Sequence, residues 1–325
     1  LREKGRMPIE ARKARQEDYG ALFGAGVSLP PLIPVETPTP LDADEIAANI
    51  EHGGPFAHYF ENFESRPQQI EMLRAVTHAL SESQHLMVEA GTGTGKSFAY
   101  LIPAVEWSLK NSMRVVISTN TITLQDQLIK KDIPDLAQAL KSEVRAVVVK
   151  GRGNYLCPRR LEALRKNVPA NADELRLLAK VLVWLDQGGS GDRSEINLNG
   201  PAERDVWSRL SAEDEGCKAE VCMERTGGAC PFYKMKMAAQ SAHVLVVNHA
   251  LLLADVITGS RVLPEYQYLI VDEAHHLESA TTNALSFRLT QMDFQRMLRE
   301  VGGINSGLVG RLLNLVSHAL LPADF

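Results

Sequence analysis

Long apolar runs are missing from this sequence. No stretch of about 18 uninterrupted apolar residues occurs in the 325 residues, which argues against a membrane-spanning helix. The opening residues, LREKGRMPIEARKARQEDYG, are charged and have no apolar core, so they do not read as a secretion signal. A basic surplus is missing too: 35 Lys and Arg against 40 Asp and Glu leave a net charge of −5. Bulk electrostatic wrapping of nucleic acid is therefore excluded, and any such contact must use a local groove. Cysteine is scarce, with four residues and no tight CxxC pair. Without a leader, a cytoplasmic, reducing setting follows, where gathered cysteines read as metal ligands rather than disulfides. No initiator Met precedes Leu1 and no terminal signature closes the chain at Phe325, which points to a piece of a longer protein.

What is present is an ordinary globular composition, 45% hydrophobic and 23% charged, in a chain long enough for two or more units. LPPLIPVETPTP (29–40) is proline-dense and reads as an extended linker, and LDADEIAANI (41–50) as a short helix. Pro67 opens a helical pattern in RPQQIEMLRAVTHAL. Five apolar runs then read as strands: 85–90, 113–119, 143–150, 243–247 and 266–273. Helices are expected between them, one of them over 123–131 and ending at Pro134. Short apolar strands alternating with helices predict an α/β fold with a parallel sheet covered on both faces. The roughly ninety residues after the third strand are too many for a loop and read as an inserted subdomain. The pattern turns helical after residue 276.

AGTGTGKS (90–97) follows an expected strand and opens an expected helix. Glycines there let backbone N–H groups converge on phosphate oxygens, and the helix N-terminus adds positive potential. The expected nucleotide contacts are Ala90, Gly91, Thr92, Gly93, Thr94, Gly95, Lys96 and Ser97. Lys96 is assigned to the outer phosphates and Ser97 to Mg²⁺. Ala90 stands where the usual pattern has Gly. YLIVDEAHHLE (268–278) delivers Asp272 and Glu273 to the carboxyl edge of the sheet, where such folds place ligands. Asp272 suits Mg²⁺, and Glu273 suits activation of the water that attacks a γ-phosphate. His275 either links nucleotide state to the rest of the protein or merely opens a helix.

The cysteine pattern is Cys157, then Cys217-x4-Cys222-x7-Cys230. One isolated cysteine and a loose trio suit a [4Fe–4S] cluster better than zinc, which favours tight pairs. Zinc and independent buried thiols remain as alternatives.

The Asp-Glu-Ala-His quartet resembles the motif of superfamily 2 helicases. KGRGNYLCPRR (150–160), the cysteine trio, VNHALLL (247–253) and VDEAHHLE together resemble the iron–sulfur DNA helicases of the DinG and XPD type, with DinG nearer. The resemblance covers about residues 60–325. It implies a RecA-like P-loop domain with an inserted iron–sulfur subdomain and the start of a helical arch. The domains implied are a linker and extension at 1–55, motor domain 1 at 56–150 and 241–280, the cluster subdomain at 151–240, and the arch at 281–325. It implies ATP, Mg²⁺ and a [4Fe–4S] cluster on Cys157, Cys217, Cys222 and Cys230. Gln69 becomes the adenine reader. STNTITLQDQL (118–128) becomes a backbone-gripping segment through Thr119, Asn120 and Thr121, which also suit helix capping.

Lys150, Arg152, Arg159, Arg160, Arg225, Lys234 and Lys236 lie near the cysteines with Tyr155, Phe232 and Tyr233 among them. Lys150, Arg152, Tyr155 and Arg159 are the expected single-strand contacts, cations for phosphates and rings for bases. The expected activity is ATP-driven 5′→3′ movement on single-stranded DNA with duplex unwinding. It would act at duplex junctions, with a second motor domain elsewhere in the protein and room for an exonuclease domain upstream. An ATP-regulated single-strand nuclease and a zinc-stapled DNA-binding module are the alternatives.

Overall fold

Four of the five expected strands form: β1 (Val115–Thr119), β2 (Ala146–Val148), β3 (Val244–Asn248) and β4 (Tyr268–Val271). All pair in parallel, in the spatial order β2-β3-β1-β4. The computed structural model describes residues 22–23, 29–91, 93–166, 171–213, 217–218, 222, 226–286, 291–305 and 307–319.

Alternate residues of the central strands feed two cores. Val115, Ile117, Val244 and Val246 pack under one layer of helices with Leu101, Val105 and Trp107. Val116, Leu245 and Val247 face the other way, onto Val149, Phe232, Met235 and Leu252. Burial on both faces is why these strands read as unbroken apolar runs. The helices of the first layer are α1 (Ala43–Ala48), α2 (Pro55–Tyr59), α3 (Pro67–Ser81), α4 (Lys96–Asn111), α5 (Ile122–Gln127) and α6 (Ile133–Ala139). Parallel strands with helices on both faces make a RecA-like α/β domain.

Two expectations are corrected. HLMVEA (85–90) is not a strand: Met87 is 98% exposed and Leu86 45%. An apolar run becomes a buried strand only where a ladder partner and cover on both faces hold it. Here β4 remains the sheet edge, with β1 as its neighbour. Nor does Pro134 end its helix. A π turn at Leu128–Asp132 carries the chain from α5 into α6, and Pro134 falls in the first turn of α6, where a missing N–H does least harm.

The proline-dense segment is extended as expected, but it is a strap and not a free linker. Leu32 N–H donates to the Gln240 carbonyl at 2.9 Å, and Val35 N–H to the Asn111 carbonyl at 3.1 Å. The fully buried Asn111 side chain accepts from Thr39 N–H at 2.7 Å and donates to Thr39 C=O at 3.2 Å. Asn111→Ala removes both side-chain partners of the Thr39 strap peptide, at a cost of about 1 kcal/mol. A lower urea midpoint and faster proteolysis within 29–41 are the expected readouts; an unchanged midpoint would show that the strap is held elsewhere.

The inserted residues fold into α7 (Pro158–Lys166), α8 (Ala172–Asp186), α9 (Gly200–Leu210) and α10 (Pro231–Ser241), the last leading into β3. Leu156, Leu161, Leu177, Val181, Leu185, Val206, Trp207 and Leu210 form a third core there. After β3 come α11 (His249–Ile257) and, beyond β4, α12 (Leu277–Leu285). The chain divides into two compact units, Leu1–Ala280 and Thr281–Phe325. The second contains α13 (Gln291–Val301) and α14 (Gly307–Ala319). Among the described residues, no helix is long and apolar enough to cross a membrane.

Candidate functional site

The glycine loop is held from below by α3. Gly93 and Gly95 take φ of 79° and 81°, a region that strongly favours glycine. A Cβ on Gly95 would lie 2.3 Å from Gln69 Nε2 and would displace that side chain. Gln69 is buried and donates to the Gly95 carbonyl at 2.9 Å. The expected adenine reader is thus engaged as a brace under the phosphate loop. Arg66, which the sequence did not single out, donates to the Gly93 carbonyl. Thr94 donates to the Gly91 carbonyl at 2.9 Å. Ala90 is half-buried at the end of the unpaired run, and Thr92 lies outside the described residues. Lys96 and Ser97 open α4, as expected.

Asp272 and Glu273 stand immediately after β4. Asp272 N–H donates to the Ser118 carbonyl at 2.8 Å, which locks the acidic turn to the end of β1. Its carboxylate accepts from Glu273 N–H at 3.0 Å and from the Tyr100 hydroxyl at 3.1 Å. Tyr100 lies one turn along α4 from Lys96. Burial first, then Asp272, push the Tyr100 phenol far above its ordinary value, so it stays a neutral donor. Tyr100 therefore ties α4, whose first turn carries Ser97, to Asp272; Ser97 and Asp272 are the two expected magnesium ligands. Only a reader counting helix turns from Lys96 could have picked it out.

Lys96 Nζ lies 3.6 Å from Glu273 Oε1, and both side chains are about one-third exposed. Glu273 sits at φ 54°, an uncommon left-handed conformation for a residue with a side chain. His275 Nδ1 is 3.5 Å from Glu273 Oε2, and its ring lies 4.1 Å from that of His276. The phosphate loop and the acidic turn thus share one cleft, with the cation that would meet phosphate beside the base that would meet water.

The family model described as DEAD/DEAH box helicase matches residues 66–166, and the model described as DEAD_2 matches residues 215–294. The chain belongs to the DinG-like DEAD/DEAH box helicases. It is 33% identical to the 3'-5' exonuclease DinG of Bacillus subtilis over 81% of this chain and 28% of that protein. It is 36% identical to the ATP-dependent helicase DinG of Mycobacterium tuberculosis, over 73% of this chain and 38% of that one. It is 33% identical to the ATP-dependent DNA helicase YoaA of Escherichia coli, over 76% of this chain and 39% of that one. The chain thus spans about a quarter to two-fifths of the length of these relatives.

In this DinG-like chain the four cysteines gather at the seam between the insert and the second face of the sheet. Cys157 and Cys230 pack with Val116, Leu245 and Val247 of the central strands. Cys157, Cys222 and Cys230 are buried, and none of the four is in a disulfide. The Cys222 thiol is raised by burial and then by Cys217 and Cys157, with an Arg159 hydrogen bond opposing. Burial pushes the Cys230 thiol up to about 12, with Cys157 and Cys222 adding to it. After burial, Cys222 and Cys230 are each raised by neighbouring thiols of the four, which make a donor set suited to a thiolate-bound metal group. Tyr233 hydroxyl lies 3.8 Å from Cys217 Sγ.

Three of the expected strand contacts, Thr119, Lys150 and Tyr155, are buried inside the protein. Lys150 is buried, and its ammonium donates to Asp192 at 2.8 Å and Ser194 at 3.0 Å, so it is not presented to a phosphate. Tyr155 is buried against Phe232, with its hydroxyl accepting from Lys150 N–H at 3.3 Å, so its face cannot take a base. Arg152 is exposed and lies 5.6 Å over the Phe232 ring, and Arg159 is half-buried beside Cys222. Thr119 is buried and donates to the Thr121 carbonyl, while Thr121 caps α5 by accepting from Leu124 N–H at 3.2 Å. Asn120 is half-exposed beside them, and Arg225 lies outside the described residues. Sequence alone could not separate these internal cations from free ones, because pairing partners such as Asp192 lie some forty residues away.

Proposed function

We propose that the chain is the ATP-binding part of an ATP-dependent DNA helicase, with Lys96, Asp272, Glu273 and His275 as its hydrolytic residues. The observation that carries this reading is the shared cleft, where Lys96 and Glu273 lie 3.6 Å apart. ATP entering the glycine loop would draw Lys96 onto its outer phosphates and release the Glu273 carboxylate. Glu273 then accepts a proton from water as the water oxygen bonds to the γ-phosphorus and the bond to the ADP oxygen breaks. Ser97 and Asp272, the latter held by Tyr100, would hold Mg²⁺, whose charge would stabilise the phosphate oxygens. His275, beside Glu273, is suited to sense the change at that carboxylate. A second motor domain, implied by the resemblance, would close the cleft and move against this one along single-stranded DNA in the 5′→3′ direction.

We infer a [4Fe–4S] cluster on Cys157, Cys217, Cys222 and Cys230. A single zinc ion holds sulfurs about 3.8 Å apart, whereas a cluster spreads them further. The loose spacing of Cys157, Cys217, Cys222 and Cys230 in the sequence supports the wider site. Of the strand contacts, Thr121 and Arg152 are exposed and Asn120 and Arg159 half-buried, so these four keep the access a phosphate contact needs.

The test is strand displacement by the full-length protein on tailed duplexes of either polarity, with ATP and with GTP. Unwinding from a 5′ tail with ATP is expected. Metal-dependent cutting without unwinding would favour the nuclease alternative, an activity carried in the name of the Bacillus relative.

A further inference from the structure

We propose that His249 is a positioning residue that couples strand binding at the end of β1 to Glu273. The proposal rests on the helicase reading above. His249 opens α11 immediately after β3 and is 1% exposed. Its Nδ1 lies 2.7 Å from the Ser118 hydroxyl, itself fully buried. Its Nε2 is buried with no hydrogen-bond partner among the described residues. The imidazole nevertheless lies close enough to the Glu273 and Asp272 backbone to feel it; burial lowers its pKa, and that backbone opposes the shift.

Ser118 is a shared node. Its carbonyl accepts from Asp272 N–H at 2.8 Å, while its hydroxyl meets His249. The next residues along the chain are Thr119, Asn120 and Thr121, the expected phosphate-gripping turn. A small shift of that turn on binding a strand must therefore move Ser118, and with it both His249 and the acidic turn. Glu273 is sensitive to such a shift, because its left-handed backbone is held by its surroundings and not by its own preference. A buried imidazole nitrogen without a partner costs free energy, and it marks a place where a second arrangement could make the missing bond. The strand-bound state is that arrangement: Nε2 bonded to the Glu273 backbone, with the carboxylate drawn off Lys96.

The experiment uses the full-length protein and reads ATP turnover with and without saturating single-stranded DNA. His249→Asn keeps an amide near Ser118 but is too short to reach the acidic turn. Ser118→Ala removes the hydroxyl and leaves the strand. Each is expected to lower the ratio of stimulated to unstimulated turnover about tenfold, the scale of coupling between two sites. Strand affinity by anisotropy should stay within about twofold, which a misfolded variant would not show. The double variant should be no worse than the worse single one, because both break the same connection. Additive losses, or an unchanged ratio in both single variants, would overturn the relay while leaving the helicase reading intact. A wild-type protein that DNA does not stimulate would remove the reading and the relay together.

Discussion

Lys96→Ala in the full-length protein is expected to cut ATP turnover by about a hundred- to a thousandfold, the scale for losing one preorganised charge at a transition state. Unwinding should go with it. The contrast with Glu273→Gln makes the prediction sharp. In the free protein the two side chains neutralise each other at 3.6 Å in a partly exposed cleft, so each holds the other in place at little net energy. Removing Lys96 takes away the charge that binds outer phosphates and leaves Glu273 facing the incoming triphosphate. Nucleotide affinity and turnover should therefore fall together. Replacing Glu273 with Gln removes the base but also frees Lys96. Turnover should collapse similarly, while affinity for a fluorescent ATP analogue holds or improves. Equal losses of affinity in both variants would contradict the roles given to the pair. Retained unwinding in Lys96→Ala would remove the motor assignment altogether.

Much of this was legible in the sequence, for physical reasons that differ from place to place. The central strands show as apolar runs because helices bury both faces, so period and burial coincide. The glycine loop shows because positive φ at Gly93 and Gly95 leaves few other residues to choose from. What sequence could not show was pairing across distance. The run at 85–90 has the composition of a strand, but whether a ladder forms beside β4 is not a local property. The same gap hid the strap, since Asn111 gives no local sign that it will hold Thr39. It also led Lys150 to be read as a phosphate contact, when Asp192 takes its charge in a buried pair. Tyr100 and His249 were hidden because each works through atoms of segments far away in the chain.

Cys230→Ser should release the metal and melt one corner of the protein without unfolding the insert. Structural metals commonly staple subdomains with little core of their own, yet α8 and α9 bury Leu177, Val181, Leu185, Val206 and Trp207 together. That core should survive. Cys157 and Cys230 instead share their packing with Val116, Leu245 and Val247, so a metal group held by them would tie the insert to the sheet. Metal binding to thiolates is strong enough that losing one of four ligands should empty the site. The expected result is loss of iron and of brown colour in anaerobically purified protein. Hydrogen exchange should quicken over 226–241, while protection over 172–186 and 200–210 remains. Unwinding should fail by a larger factor than ATP turnover, because the cleft at Lys96 and Glu273 belongs to other elements. Stoichiometric zinc in place of iron in the wild type would reject the cluster. Collapse of protection across 172–210 would reject the idea that the metal ties the insert to the sheet, and would return it to the role of a staple within the insert.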